Sequence, residues 1–230
     1  MLLRRRESTF NRMPDGYITD GLVLWLDGLD RGGVSGEWKC KIDPENIVTL
    51  TNATEQTNGV LFTNTGSTAS SYGTFAKKVA IQYTVGTIES VTTLNDIEIT
   101  GRTIMSMQDP GALGGSVASS GTADCPACRY YNSTATVYAY NFTETQKNTK
   151  LIISANDSYA YCNGKEGTRF NTGNTFNPGS GLYLARKGNT SNLFAGVIHS
   201  IRIYNRKLSR AEMLHNQVID NIRYNFGLTI

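Results

Sequence analysis

Residues 193–226, LFAGVIHSIRIYNRKLSRAEMLHNQVIDNIRYNF, read as one strand, one tight connection and one helix in immediate succession, and this constrains the fold more than any other part of the chain. Phe194, Gly196 and Ile198 share one parity, whereas Ile201 and Ile203 share the other. The inward face therefore switches between 198 and 201, as a single β-bulge in one continuous strand makes it do.

Several independent signals start a helix just after this strand. Ser209 is placed to accept a hydrogen bond from the backbone N–H of Glu212, while the Glu212 side chain reaches back to the Ser209 N–H. Leu208 and Met213 stand at the two positions of a hydrophobic staple. The spacing predicts a short helix near 209–222, with Leu214, Val218 and Ile222 at four-residue intervals as its docking stripe. Asn205, Arg206 and Lys207 form the exposed link before it.

The string FAGVIHSIRIYNRKLSRAEM resembles the closing strand and small helix of laminin-G-like jelly rolls in the concanavalin A-like lectin/glucanase superfamily, whose common form is f-x-G-x-I-x-x-[IV]-R-[IV]-Y-N-R-x-L-S-x-x-E. GLVLWLDG at 21–28 is similar to the family's opening strand, and YAYCNGK at 159–165 to its Y-x-N-G hairpin. Residues 29–135 match only by strand rhythm. The resemblance implies a two-sheet antiparallel sandwich and recognition of glycans or proteins at its surface.

Composition agrees with an all-β class. Only 18% of the 230 residues are charged, and Gly, Ser, Thr and Asn crowd the gaps between short apolar runs. A formal net charge of +3, from 22 basic and 19 acidic residues, is too balanced for a nucleic-acid binder. The one basic cluster, Arg4–Arg6, falls in a segment without periodicity that closes on the turn signal Pro14–Asp15–Gly16. Residues 1–16 are thus expected to be an N-terminal arm and 17–230 a single folded domain. Met1–Leu3 runs directly into arginines, without the apolar core of a secretory signal, and no run is long enough to insert in a membrane. A cytosolic product is expected.

Cys40, Cys125, Cys128 and Cys162 do not form a recognisable site. Cys125-Pro-Ala-Cys128 has half of a zinc pattern, but Cys40 and Cys162 are isolated, so reduced thiols or a local loop disulfide are expected. The N-x-[ST] sequons at Asn52, Asn132, Asn141, Asn156 and Asn189 are those expected by chance in a chain rich in Thr and Asn.

Strands are predicted near 21–27, 46–51, 58–63, 78–84, 87–94, 101–107, 135–142, 149–155, 157–163, 181–186 and 194–204, and a surface loop over the small-residue stretch 109–129. If 135–163 is a three-stranded meander, Tyr138, Tyr140, Tyr159 and Tyr161 line one sheet face. Tyrosines there are candidates for stacking on sugar rings, although ordinary cross-strand packing of good strand formers is the commoner reason for such a row. Trp25 reads as core, while Trp38, between Glu37 and Lys39, suits either the core or the binding face.

Enzymatic patterns are absent from the sequence. The E-x-D-x-x-E string of the superfamily's retaining glycosidases does not occur, and Asp96 with Glu98 is its nearest approach. His199 and His215 are the only histidines, too far apart for a zincin motif. No catalytic residues and no cofactor are therefore assigned. Relatives that hold calcium at the sandwich rim make Asp27, Asp30, Asp157 and Asn163 candidate oxygen ligands.

The expectation is an all-β, two-sheet antiparallel jelly-roll sandwich with a short C-terminal helix, acting as a non-enzymatic recognition or structural module. A bacteriophage virion part (fibre, tail or capsid decoration) is the expected setting. Its partners are expected to be a surface glycan or another virion or cell-surface protein, with homo-oligomer formation in keeping. An extracellular bacterial adhesion module is the alternative, and a glycoside hydrolase a more distant one.

Overall fold

The structure is a computed structural model that describes residues 16–64, 70–77, 86–95, 102–106, 116–119, 126–131, 137–141, 150–156, 158–171, 182–186 and 193–230, of which 102, 106, 116–119, 126–131, 137–141 and 169–171 are described by backbone alone. The chain opens with β1 (Leu22–Asp27), β2 (Glu37–Lys39), β3 (Ile47–Thr51), β4 (Thr54–Gln56), β5 (Gly59–Thr63) and β6 (Tyr72–Phe75). Next come β7 (Thr87–Leu94), β8 (Arg102–Thr103), β9 (Met105–Ser106), β10 (Ser116–Ser119), β11 (Pro126–Tyr131) and β12 (Val137–Asn141). The last group is β13 (Lys150–Ala155), β14 (Ala160–Cys162), β15 (Lys165–Glu166), β16 (Thr168–Asn171), β17 (Tyr183–Leu184) and β18 (Ala195–Tyr204), followed by helix α1 (Arg210–Arg223).

The architecture is an antiparallel jelly-roll sandwich closed by one C-terminal helix. The first sheet runs β15-β14-β13-β7-β18-β5-β4, with β1 also on β18; the second runs β2-β3-β6-β17-β9. A further antiparallel ladder, β16-β12-β11-β10-β8, is set by backbone pairing. The main core lies between the first two sheets. Leu24, Leu26, Phe62, Ile153, Phe194, Ile201 and Ile203 of the first sheet and its approach meet Trp38, Val48, Phe75 and Leu184 of the second.

β18 organises the first sheet. One edge pairs with β7 along its length, while the other pairs with β5 over 195–198 and with β1 over 200–204. The register slips between Ile198 and Ser200, so the bulge expected from parity is present, with His199 as the extra residue. Gly196, at φ +145, is required here because a Cβ would drive into the Thr93 carbonyl oxygen. The His199 ring is buried: Nδ1 bonds the Asn58 carbonyl at 2.7 Å and must donate, which leaves Nε2 to accept from Thr93 Oγ1 at 2.9 Å. Burial lowers its pKa below the ordinary histidine value.

Helix α1 begins with the expected capping box between Ser209 and Glu212. The staple residues Leu208 and Met213 are fully buried in one cluster. The docking face is the predicted one only in part: Leu214 packs against this cluster, but the rest of the predicted stripe does not. Val218 and Ile222 are 43% and 75% exposed, whereas Met213, Asn216, Gln217 and Asp220 face the sheet. The reason lies in the outer face of the first sheet, which presents Glu89, Ser154 and Arg202 rather than a continuous apolar surface. Arg202 donates from Nε to Glu89 at 2.8 Å and from both Nη atoms to the Asp220 carboxylate. Asn216 donates to Glu89 Oε2 at 2.9 Å, and Gln217 to Ser154 Oγ at 3.1 Å. A polar helix face is the one that satisfies these buried groups.

Two other expectations change. The predicted loop at 109–129 contains β10 and the start of β11, paired from Ser116↔Arg129 to Ser119↔Pro126. Its Gly, Ala and Ser residues carry no alternation from which a strand is read. The predicted 135–163 meander does not form either, since β12 pairs with β11 and β16 while β13 pairs with β7 and β14. Predicted strand 78–84 lies outside the described residues. Cys40 and Cys162 are buried and in no disulfide; Cys128 sits in β11 opposite Tyr140, and Cys125 lies outside the described residues.

Candidate functional site

The described tyrosines of the expected sugar row do not share a sheet. Tyr138 and Tyr140 belong to β12 in the third ladder, opposite Tyr130 and Cys128, and their side chains lie outside the described residues. Tyr161 points away from the inter-sheet core, as alternation with the core residues Ala160 and Cys162 requires. The start of α1 and its neighbours cover it: it is buried among Tyr17, Trp25, Leu208 and Met213, and its hydroxyl donates to Glu166 at 3.0 Å. Burial, the largest influence, and the Glu166 hydrogen bond raise its pKa. A ring so enclosed has no face to offer a ligand. Tyr159 is half-buried, donates to the Leu208 carbonyl at 2.9 Å and lies under the Arg210 guanidinium. Trp38 is fully buried, with Nε1 donating to the Asp27 carbonyl at 3.1 Å, so it belongs to the core and not to a binding face.

Three of the four calcium candidates are engaged elsewhere. Asp27 is buried and accepts from Arg223 Nη2 at 2.5 Å, Tyr224 Oη at 2.9 Å and the Leu29 N–H at 3.1 Å, a set of donors that ties the helix end to β1. Asp30 pairs with Lys41. The Asn163 side chain is spent on the backbone of β13, accepting from Ile152 N and donating to Lys150 O. Asp157, Asp96 and Glu98 lie outside the described residues. Among the described residues no group of three His, Cys, Asp or Glu side chains is arranged to hold a metal.

A different set of residues comes together on the outer face of the second sheet. Trp38, Val48, Phe75 and Leu184 point into the core, so the alternate positions Glu37, Lys39, Thr49, Thr51, Tyr72, Thr74 and Tyr183 point out. Tyr72 and Tyr183 come from the neighbouring strands β6 and β17, where Tyr183 stands opposite Thr74 and Thr51 opposite Tyr72. Arg186 lies between the two rings, its guanidinium carbon 3.7 Å from the Tyr72 centroid and 4.2 Å from that of Tyr183. Such stacking on a desolvated cation is worth about 2 kcal/mol.

The backbone just before Arg186 explains how it gets there. Ala185 adopts φ +61, a left-handed conformation that costs a non-glycine residue roughly 1–3 kcal/mol. Neighbours hold it in place: its N–H donates to Ile104 O at 2.8 Å, and its carbonyl accepts from Phe194 N at 3.0 Å. The buried Asn64 side chain closes the corner, donating to the Ser71 and Phe194 carbonyls at 2.6 and 2.9 Å while accepting from Ser71 N at 2.8 Å. Arg186 is 9% exposed, while both flanking tyrosines remain half-exposed. Two partly exposed tyrosines result, each with one ring face against the guanidinium, set in a sheet surface of threonine hydroxyls. Sequence reasoning placed a strand at 181–186 but missed this cluster, because an alanine gives no sign of a left-handed turn.

No family model and no curated protein sequence matches this chain. Solved structures do resemble it. The binding domain of botulinum neurotoxin DC in complex with rat synaptotagmin II superposes with a TM-score of 0.60 at 12% identity, over 86% of this chain and 51% of that one. The same domain in complex with SialylT gives 0.59 at 11% identity, over 87% and 52%. Trypanosoma rangeli sialidase in complex with sialic acid gives 0.51 at 15% identity, over 88% of this chain but only 33% of the sialidase. The chain thus spans between a third and about half of these neighbours, and at such identities the likeness establishes a shared sandwich fold.

Proposed function

We propose that this protein is a recognition module that binds glycan chains on the outer face of the second sheet, without catalysing a reaction on them. The carrying observation is Arg186 braced between Tyr72 and Tyr183 on an accessible, hydroxyl-bearing sheet surface. Aromatic faces that pack on sugar C–H groups, beside side chains that bond hydroxyls, are what a saccharide site needs. Similarly folded domains appear in complexes with SialylT and with rat synaptotagmin II, which supports glycan or protein surfaces as the partner class. The non-catalytic reading draws support from Glu89 and Asp220, two buried sheet-and-helix carboxylates that are committed to Arg202. As the setting we propose a phage particle, in a fibre, tail or capsid-decorating position, with a bacterial cell-surface adhesion role as the alternative.

A glycan array of the wild type against Tyr183→Ala and Tyr159→Ala tests the site. Loss of signal in the first variant and retention in the second is expected. Equal binding by all three proteins would remove the second sheet from the account.

A further inference from the structure

The strand register of the second sheet sets Glu37, Thr49, Thr74 and Tyr183 in one file across β2, β3, β6 and β17. Thr51 and Tyr72 begin the adjoining file, next to Arg186. Neighbouring strands lie about 4.8 Å apart, so the file from Glu37 to Tyr183 covers three steps, roughly 14 Å. A pyranose ring is about one such step long. Among the described residues, no hydrogen bond or ion pair engages the Glu37 carboxylate, the Lys39 ammonium or the hydroxyls of Thr49, Thr51 and Thr74. A peptide strand adds to a sheet through free main-chain groups at an edge, and a sheet face has none to give. A ligand lying across this face must carry hydroxyls along its length and a C–H face at the tyrosine end. Glu37 and Lys39, opposite in sign, stand on the same strand at the other end.

We infer that this face takes a linear oligosaccharide of at least three units, running across the strands from Glu37 to Tyr183, rather than a single terminal sugar. The inference rests on the glycan reading above and adds the length and direction of the ligand. The hydroxyls of Thr49 and Thr74 bond the middle of the chain, and Tyr183 stacks on one end unit.

Calorimetric titration with ladders of one to six units of glucose, galactose, mannose and N-acetylglucosamine polymers tests it. For at least one ladder, affinity rises through the third unit and then levels off. Thr49→Val and Thr74→Val, which keep the strand-forming shape, each weaken the trimer about 2- to 10-fold and leave the monomer unaffected. A monosaccharide that binds as tightly as its hexamer, or a trimer indifferent to both substitutions, overturns the inference while leaving the glycan reading intact. If no member of any ladder binds, this inference falls, and the glycan array decides the glycan reading separately.

Discussion

Arg202 of β18 and Asp220 of α1 form a two-pronged ion pair beneath the C-terminal helix, with both side chains at most 1% exposed. Tyr17 adds a third bond, donating to Asp220 Oδ1 at 2.7 Å while its ring lies under the guanidinium. Burial alone would lower the Arg202 pKa, but Asp220 and Glu89 hold it well above its ordinary value. The helix is therefore fastened by charge as well as by the apolar contacts of Leu208, Met213 and Leu214, while Val218 and Ile222 are left outside.

Asp220→Ala should cost about 3–5 kcal/mol, because it leaves Arg202 buried with half its partners gone. Urea denaturation measures this directly. A loss under about 1 kcal/mol would mean that the pair is not buried in solution.

The outward stripe makes the opposite case. Val218→Lys and Ile222→Lys should each change stability by less than about 0.5 kcal/mol, as surface substitutions do. Thermal melts of both variants are sufficient, and a collapse in either would restore the stripe as the docking face.

These two cases separate what the sequence discloses from what it conceals. The bulge at His199, the capping box at Ser209 and Glu212, and the staple of Leu208 and Met213 follow from local parity and local hydrogen bonding, so they were legible in advance. The helix face was not, since its choice depends on Glu89 and Arg202 meeting across neighbouring strands, a pairing that no sequence spacing encodes. The same holds for the candidate site: Tyr72 and Arg186 are far apart in sequence and meet only because Ala185 turns left-handed. Tyr161 turns away from the inter-sheet core as alternation requires, but alternation does not tell what covers a ring, whereas Trp38 turns into that core.

Stability should fall between pH 7 and 5.5 in a manner that depends on His199. Its folded pKa is lowered by burial, so the unfolded chain takes up a proton near pH 6.5 that the fold resists. The stabilisation is complete above that pH and is lost as pH falls through it. Burial also raises the Glu89 pKa against the pull of Arg202, and Glu89 is unchanged in the variant that tests His199. His199→Gln should flatten the slope between pH 7 and 5.5; an unaltered slope in that variant would assign the dependence to other groups.

The most direct measurement of the recognition surface is the backbone amide shift map of isotope-labelled protein titrated with the tightest member of the oligosaccharide ladders. The account requires perturbations centred on Thr49, Tyr72, Thr74, Tyr183 and Arg186, with 159–166 and α1 silent. Shifts confined to 159–166, or to the loop at 28–36, would contradict it and place binding on a different surface.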